Sequence, residues 1–250
     1  ILIQPDFPDA YYNLGVAQQR LKFFDSALAN YDCALLLQPI YVDACNNRGN
    51  VLHDLNRPSE ALASFERAIA IDPDRADLYF NSGTSLKMIG NLEGSLAKIN
   101  RALILKNDYF AALNNRGVIL NQLSFFKEAL ACFEAAITLE PENGAAYHHQ
   151  GLIFTQLNRF YDALVAHERA IWINPGSAET FYHQGNTFQQ LKMHDEAMIA
   201  FEKSISCKSD FAEAYNGLGV TMQELQKSKD ALIHFNKALF IKSDFAEAYN

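Results

Sequence analysis

Glycine stands at residues 15, 49, 83, 117, 151, 185 and 219, each 34 residues after the last. A fixed period of this size limits the fold more than any other feature of the chain. Units of 20–50 residues that recur in register stack on their neighbours and do not surround one common core. Such a stack offers an extended surface and no single cleft, so functional residues are sought in columns counted from each glycine.

The unit is legible in residues 42–75. Cys45, Gly49, Leu52 and Leu55 recur at three- and four-residue spacing and mark one face of a helix. Asn56, Arg57 and Pro58 break it, Ser59 is expected to cap a second helix, and Glu60 suits that helix's first turn. A second stripe follows in Ala61, Leu62, Phe65, Ala68, Ile69 and Ile71, and Pro73 ends it. Each unit is therefore expected to be two antiparallel helices.

Other columns keep the same period. Four residues before each glycine stand Tyr11, Cys45, Tyr79, Leu113, Tyr147, Phe181 and Tyr215, so Cys45 takes a place held elsewhere by Tyr, Leu or Phe. Twelve residues after it come Ala27, Ala61, Ser95, Ala129, Ala163, Ala197 and Ala231. Sixteen after it come Tyr31, Phe65, Ile99, Phe133, His167, Phe201 and Phe235. Small residues let the helices approach and the large ones fill the gap.

Together these columns resemble the tetratricopeptide repeat family. The resemblance implies an all-α, right-handed superhelical solenoid of antiparallel helix pairs. Seven repeats are expected at 8–41, 42–75, 76–109, 110–143, 144–177, 178–211 and 212–245, after a tail of a preceding repeat in residues 1–7 and before the start of an eighth in 246–250. Pro5 falls in the closing-proline column, and residues 242–250 repeat 208–216 without change, so a piece of a longer protein is expected. The third unit, with Gly94, Ser95, Ile99 and Asn107, is expected to pack more loosely or to change the superhelical twist. Arg48 and Arg116 fall beside the glycine where the family usually has an apolar residue.

Composition narrows the function classes. The net charge is −8, with no basic run, which disfavours nucleic acid and anionic membranes. No apolar stretch approaches the ~20 residues of a membrane span, and the first residues lack the layout of a signal peptide. Cys33, Cys45, Cys132 and Cys207 make no CxxC pair. They read as buried or half-buried thiols of a cytoplasmic protein, with a redox pair as the unsupported alternative.

No catalytic motif is present: there is no GxSxG, Walker loop, GxGxxG or HExxH. No enzyme activity of this chain, cofactor or metal is expected. His148, His149 and His183 can lie near one another, but a metal site needs three or four converging ligands, and polar groove residues are the favoured reading. His167 replaces a core aromatic and reads as a packed or hydrogen-bonded histidine.

The candidate site is a ladder. Two residues before each glycine the chain reads Asn13, Asn47, Asn81, Asn115, His149, His183 and Gly217. One residue earlier it reads Tyr12, Asn46, Phe80, Asn114, His148, Tyr182 and Asn216. Asn50 and Asn186 follow the glycine directly. The resemblance places these columns on a concave face lined by the first helices. Asn is a poor helix former, so four in register want a reason. One reason is recognition of extended polypeptide, since an amide offers both donor and acceptor. The other is that the asparagines satisfy neighbouring helices.

The leading expectation is a protein-interaction scaffold whose groove binds an extended polypeptide segment. Asp9, Asp43, Asp77, Glu179 and Glu213 near the helix starts favour a neutral or basic ligand over an acidic one. A similar Asn ladder marks the repeat region of O-linked N-acetylglucosamine transferase, so a substrate-recognition region of a larger protein O-glycosyltransferase is the alternative. A third reading is head-to-tail self-association through uncapped ends.

Overall fold

The computed structural model describes residues 7–242. The expected tail in 1–7 lies almost wholly outside the described residues, and the opening of an eighth repeat in 246–250 lies wholly outside them. Among the described residues fourteen α-helices follow one another, without a strand. In chain order they are α1 (Pro8–Arg20), α2 (Phe24–Leu37), α3 (Val42–Asp54), α4 (Pro58–Ile71), α5 (Ala76–Ile89), α6 (Leu92–Leu105) and α7 (Phe110–Gln122). Then come α8 (Phe126–Leu139), α9 (Gly144–Gln156), α10 (Phe160–Ile173), α11 (Ala178–Gln190), α12 (His194–Cys207), α13 (Ala212–Glu224) and α14 (Ser228–Ile241). The fold is an all-α helical-repeat solenoid. None of these helices is long and apolar enough to cross a membrane.

The chain divides into two compact units, residues 1–129 and 130–250. In unit 1, α1 packs on α2, α3 on α4 and α5 on α6. In unit 2, α9 packs on α10, α11 on α12 and α13 on α14. Within each unit the second helix of one pair also packs on the first helix of the next, as α4 does on α5 and α10 on α11.

The large-against-small rule has a specific form. A Cβ added to Gly49 would lie 2.5 Å from the ring of Phe65, sixteen residues on in the same pair. Gly151 faces the ring of His167 at the same 2.5 Å. The glycine is thus the socket and the residue sixteen later is the plug, and a methyl group at the socket would have to displace a ring that has no free volume to enter. The plugs Tyr31, Phe65, Ile99 and Phe201 are fully buried. Each such side chain contributes ~1.5–3 kcal/mol through the apolar surface it removes from water.

The third repeat is not looser at this point. Ile99 and Ser95 are as buried as their counterparts, and the Ser95 hydroxyl donates to the Gly83 carbonyl at 2.6 Å. The hydroxyl therefore supplies a bond where the other repeats have only an alanine methyl.

The turns inside the repeats follow a rule the sequence hid. Seven residues after each framework glycine the backbone is left-handed: Lys22, Asn56, Ser124, Asn158, Lys192 and Gln226 have φ between 55° and 64°, and Gly90 has φ 89°. Ser59 does not cap α4. Its N-cap is Arg57, two residues earlier, with Pro58 in the first turn and no side-chain cap. Proline's fixed φ and missing N–H suit that place, and Ser59 is already inside the helix. Cysteine burial also differs from expectation at one place: Cys45 and Cys132 are buried and Cys33 half-buried, but Cys207, the last residue of α12, is exposed.

Candidate functional site

In unit 1 the ladder columns lie on α1, α3, α5 and α7, and they bond to each other across helices. Asn47 Nδ2 donates to Tyr12 Oη at 3.1 Å. Asn81 Nδ2 donates to Asn46 Oδ1 at 2.9 Å and reaches Asn50 Oδ1 at 3.4 Å. Asn115 Nδ2 reaches Thr84 Oγ1 at 3.4 Å, and Asn115 Oδ1 accepts from Lys87 Nζ at 3.2 Å. The pattern repeats: the column two before the glycine donates back to the preceding repeat, either three before its glycine or one after. Asparagine tolerates the cost in helix propensity because its amide ties two parallel first helices together.

Among the described residues the bonds leave a definite remainder. Asn46 and Asn50 accept through oxygen and keep their NH2 groups. Asn47 and Asn81 donate through nitrogen and keep their oxygens. Unit 1 therefore presents spare donors and spare acceptors side by side on half-buried side chains. Asn13 is exposed, and Asn114 Oδ1 is buried without a hydrogen-bond partner among the described residues.

Rings flank this amide row. Tyr12 lies 4.9 Å from Tyr41 and Phe80 lies 5.1 Å from Tyr109, centroid to centroid. Behind the row, His53 Nε2 and Ser85 Oγ are 2.7 Å apart, and Tyr31 Oη donates to Gln19 Oε1 at 2.8 Å. Burial pushes the Tyr31 phenol up to about 12 and holds the Lys87 ammonium below its ordinary value. The acids at the helix starts are largely engaged. Arg75 pairs with Asp43 at 2.6 Å and with Asp77 at 2.7 Å, and Tyr41 Oη donates to Asp9 at 2.9 Å.

On α9 and α11 of unit 2 the same columns hold rings. His148 lies 5.4 Å from both His149 and His183, and 5.9 Å from His167. His149 stacks on Phe133 at 5.5 Å. His148 Nδ1 is 3.0 Å from Thr180 Oγ1, while His167 is fully buried with neither ring nitrogen hydrogen-bonded. Of the two alternatives for His167, packed or hydrogen-bonded, the first holds: it is packed, and among the described residues its ring nitrogens have no hydrogen-bond partner. Desolvation pushes His148 and His183 down to about 4 and His167 to about 3, and the neighbouring imidazoles add to the shift. Among the described residues no group of three or more His, Cys, Asp or Glu can hold a metal ion.

The remaining candidates of unit 2 are dispersed. Tyr182 lies 5.2 Å from Phe211 with the rings tilted, Asn186 is half-buried, and Asn216 Oδ1 is buried without a partner among the described residues. Gly217 closes the ladder column because the ring of Phe201 occupies the space a Cβ there would take, at 2.7 Å. Sequence reasoning missed the hydroxyls that serve the ladder, Thr84 in unit 1 and Thr180 in unit 2. Thr84 stands in the column of Asn50 and Asn186, which could have pointed to it, whereas Thr180 is the one hydroxyl in a column otherwise of Ala and Leu and carries no periodic signal.

Profiles of the tetratricopeptide repeat match residues 42–75, 120–178 and 178–211. No curated protein sequence matches the chain. Among solved structures it is similar to YrrB, described as a TPR protein with an unusual peptide-binding site. That match has 28% identity over 74% of this chain and 95% of that one, with a TM-score of 0.58. A tetratricopeptide repeat protein from Parabacteroides merdae matches at 17% identity over 97% of this chain and 99% of that one, with a TM-score of 0.79. A chain of the APC/C hetero-tetramer Cut9–Hcn1 matches at 16% identity over 90% of this chain and 47% of that one, with a TM-score of 0.76.

Proposed function

Since this chain belongs to the tetratricopeptide repeat family, a family of protein-interaction scaffolds, we propose that the amide-lined face of α1, α3, α5 and α7 binds an extended polypeptide segment. The observation that carries this reading is the remainder left by the inter-helix bonds. Asn46 and Asn50 offer spare NH2 groups, and Asn47 and Asn81 offer spare oxygens. An extended chain presents N–H and C=O groups in alternation, and this row can pair with them without reading side chains. Tyr12 and Phe80 add apolar area beside it. The likeness to YrrB, whose description includes a peptide-binding site, points the same way.

A neutral segment fits this face best. The Asp43 and Asp77 charges are taken by Arg75, so the acids at the helix starts attract a basic ligand less than their number suggests.

The experiment must separate binding from strut. Titration of a pool of unstructured neutral 12-residue peptides into the labelled chain, read by the asparagine side-chain amide signals, gives the affinity. Asn47→Ala with Asn81→Ala removes both spare oxygens and is expected to weaken binding at least tenfold, at ~1 kcal/mol per lost bond. Tyr12→Phe removes the Asn47–Tyr12 bond but leaves the Asn47 oxygen, and it is expected to cost stability while keeping affinity within about twofold. Equal affinity for all three proteins, or no binding by the native chain, defeats the proposal.

A further inference from the structure

A second surface of unit 1, on the opposite side of α3, carries a cavity of about 400 Å³ between α2, α3 and α4. At 3.6 residues per turn Cys45 and Arg48 face away from Asn46, Asn47 and Asn50, so this cavity is separate from the amide row. Its lining includes Leu35, Ala63, Arg48 and Arg67, with the fully buried Cys45 beneath them. Leu36 at the rim is 81% exposed and does not fold over the opening.

The other repeats show what belongs in such a place. In three of them the residue in the column of Arg67 lies over an aromatic ring in the column of Cys45. Arg101 lies 5.8 Å from the centre of Tyr79, Arg169 lies 5.9 Å from Tyr147, and Lys203 lies 5.7 Å from Phe181. In α9 and α10 the corresponding crease has Tyr147 itself as a wall. In the second repeat the ring is replaced by a thiol, and the cation remains. Arg67 makes no ion pair among the described residues; its guanidinium donates only to the Pro39 carbonyl, at 2.6 Å. Arg48 is held in position by Asp32 at 2.6 Å and Ser64 at 2.7 Å. Both arginines line the same cavity as Cys45.

We propose that this cavity receives an aromatic side chain presented by a partner polypeptide, which fills the place of the missing ring above Cys45 and lies beneath the Arg67 guanidinium. A ring has the shape for the apolar floor, and its face attracts the unpaired cation. Aliphatic side chains satisfy only the first of these. The pocket is independent of the amide row, so loss of peptide binding by the ladder variants leaves it intact.

The test uses N-acetyl-tyrosinamide, with N-acetyl-leucinamide as the control, titrated into the full chain and followed by the methyl signals of Leu35 and Ala63. Saturable shifts with the tyrosine probe, at least threefold tighter than with the leucine probe, are expected. Cys45→Tyr supplies the ring from within. It is expected to raise the thermal midpoint by several degrees and to abolish the shifts. A folded Cys45→Tyr protein that still binds the probe overturns the proposal, as does native protein that shows no saturable shift. If Cys45→Tyr fails to fold, Arg67→Ala decides: at least threefold weaker probe binding at unchanged helical content supports the site, and unchanged binding overturns it.

Discussion

The same two columns behave differently in the two units. In unit 1 they hold amides that bond helix to helix: Asn47 to Tyr12, Asn81 to Asn46 and Asn50. In unit 2 they hold His148, His149 and His183, which gather with His167 into one group of rings 5.4–6.5 Å apart. An amide can bond a neighbour with one atom and keep the other for a ligand. A neutral imidazole has one donor and one acceptor, and burial of His167 leaves both unmet. The register is common, and the hydrogen-bond economy makes one face a polar row and the other a desolvated ring cluster.

The largest break between the units is expected in acid. Unit 1 contains one histidine, His53, and the other six lie in unit 2. The folded pKa values of about 4 for His148 and His183 and about 3 for His167 lie below the unfolded value of ~6.5. The fold therefore favours the neutral form. That stability is fully present above pH ~6.5 and is lost as pH falls from there toward 4 and then 3. Buried His167 alone contributes a loss of about 1.4 kcal/mol per pH unit across this window. Amide hydrogen exchange at pH 7 and pH 4.5 is expected to show protection falling in α9–α11 well before α3–α5. Equal loss in both units counts against the cluster as the acid-labile element.

Next in size are the sockets. Gly49→Ala and Gly151→Ala each drive a methyl into a ring at 2.5 Å, and each is expected to cost ~2–3 kcal/mol in denaturant unfolding. The pair sharpens the comparison because the plugs differ: Phe65 is apolar, and His167 carries two unpaired nitrogens. His167→Phe keeps a ring in the Gly151 socket and removes those nitrogens. It is expected to stabilise unit 2 by about 1–3 kcal/mol at pH 7, and by more at pH 5. A destabilised His167→Phe protein means that the imidazole has a polar role that its packing does not reveal.

Most of the scaffold was legible in the sequence because packing repeats its steric demands every 34 residues. Gly49 and Phe65 announce socket and plug, and Pro58 and Pro73 bracket α4 to within two residues. The site was legible only as columns. The sequence places Asn46, Asn47 and Asn81 on one face, but whether their amides meet depends on the spacing of adjacent first helices, which no single repeat encodes. The approach of His148 to His183 within 5.4 Å has the same origin. Arg75 bridging Asp43 and Asp77 was hidden for another reason: the acids read as helix-start charges, and their shared partner is set by two successive turns. Cys45 was visible as an exception in its column, yet only the cavity above it gives the exception a consequence.

The smallest expected effect concerns the turns, where one position separates the third repeat from its neighbours. Gly90 adopts φ 89° with nothing within 4 Å of its missing Cβ, whereas Lys22 and Lys192 hold left-handed backbone with full side chains. For an L-residue that region costs ~1–2 kcal/mol, and glycine's freedom in the unfolded chain returns part of it. Lys22→Gly in unit 1 and Lys192→Gly in unit 2 are each expected to stabilise by about 0.5–1 kcal/mol. Gly90→Ala is expected to cost about 1 kcal/mol, without any steric clash to confuse the reading. Urea unfolding of the three variants checks the set, since all alter backbone and none touches a ladder side chain. If Lys192→Gly destabilises, the lysine's 3.4 Å contact with Glu224 outweighs the backbone term, which a Lys192→Asn protein resolves by keeping left-handed tolerance without the charge.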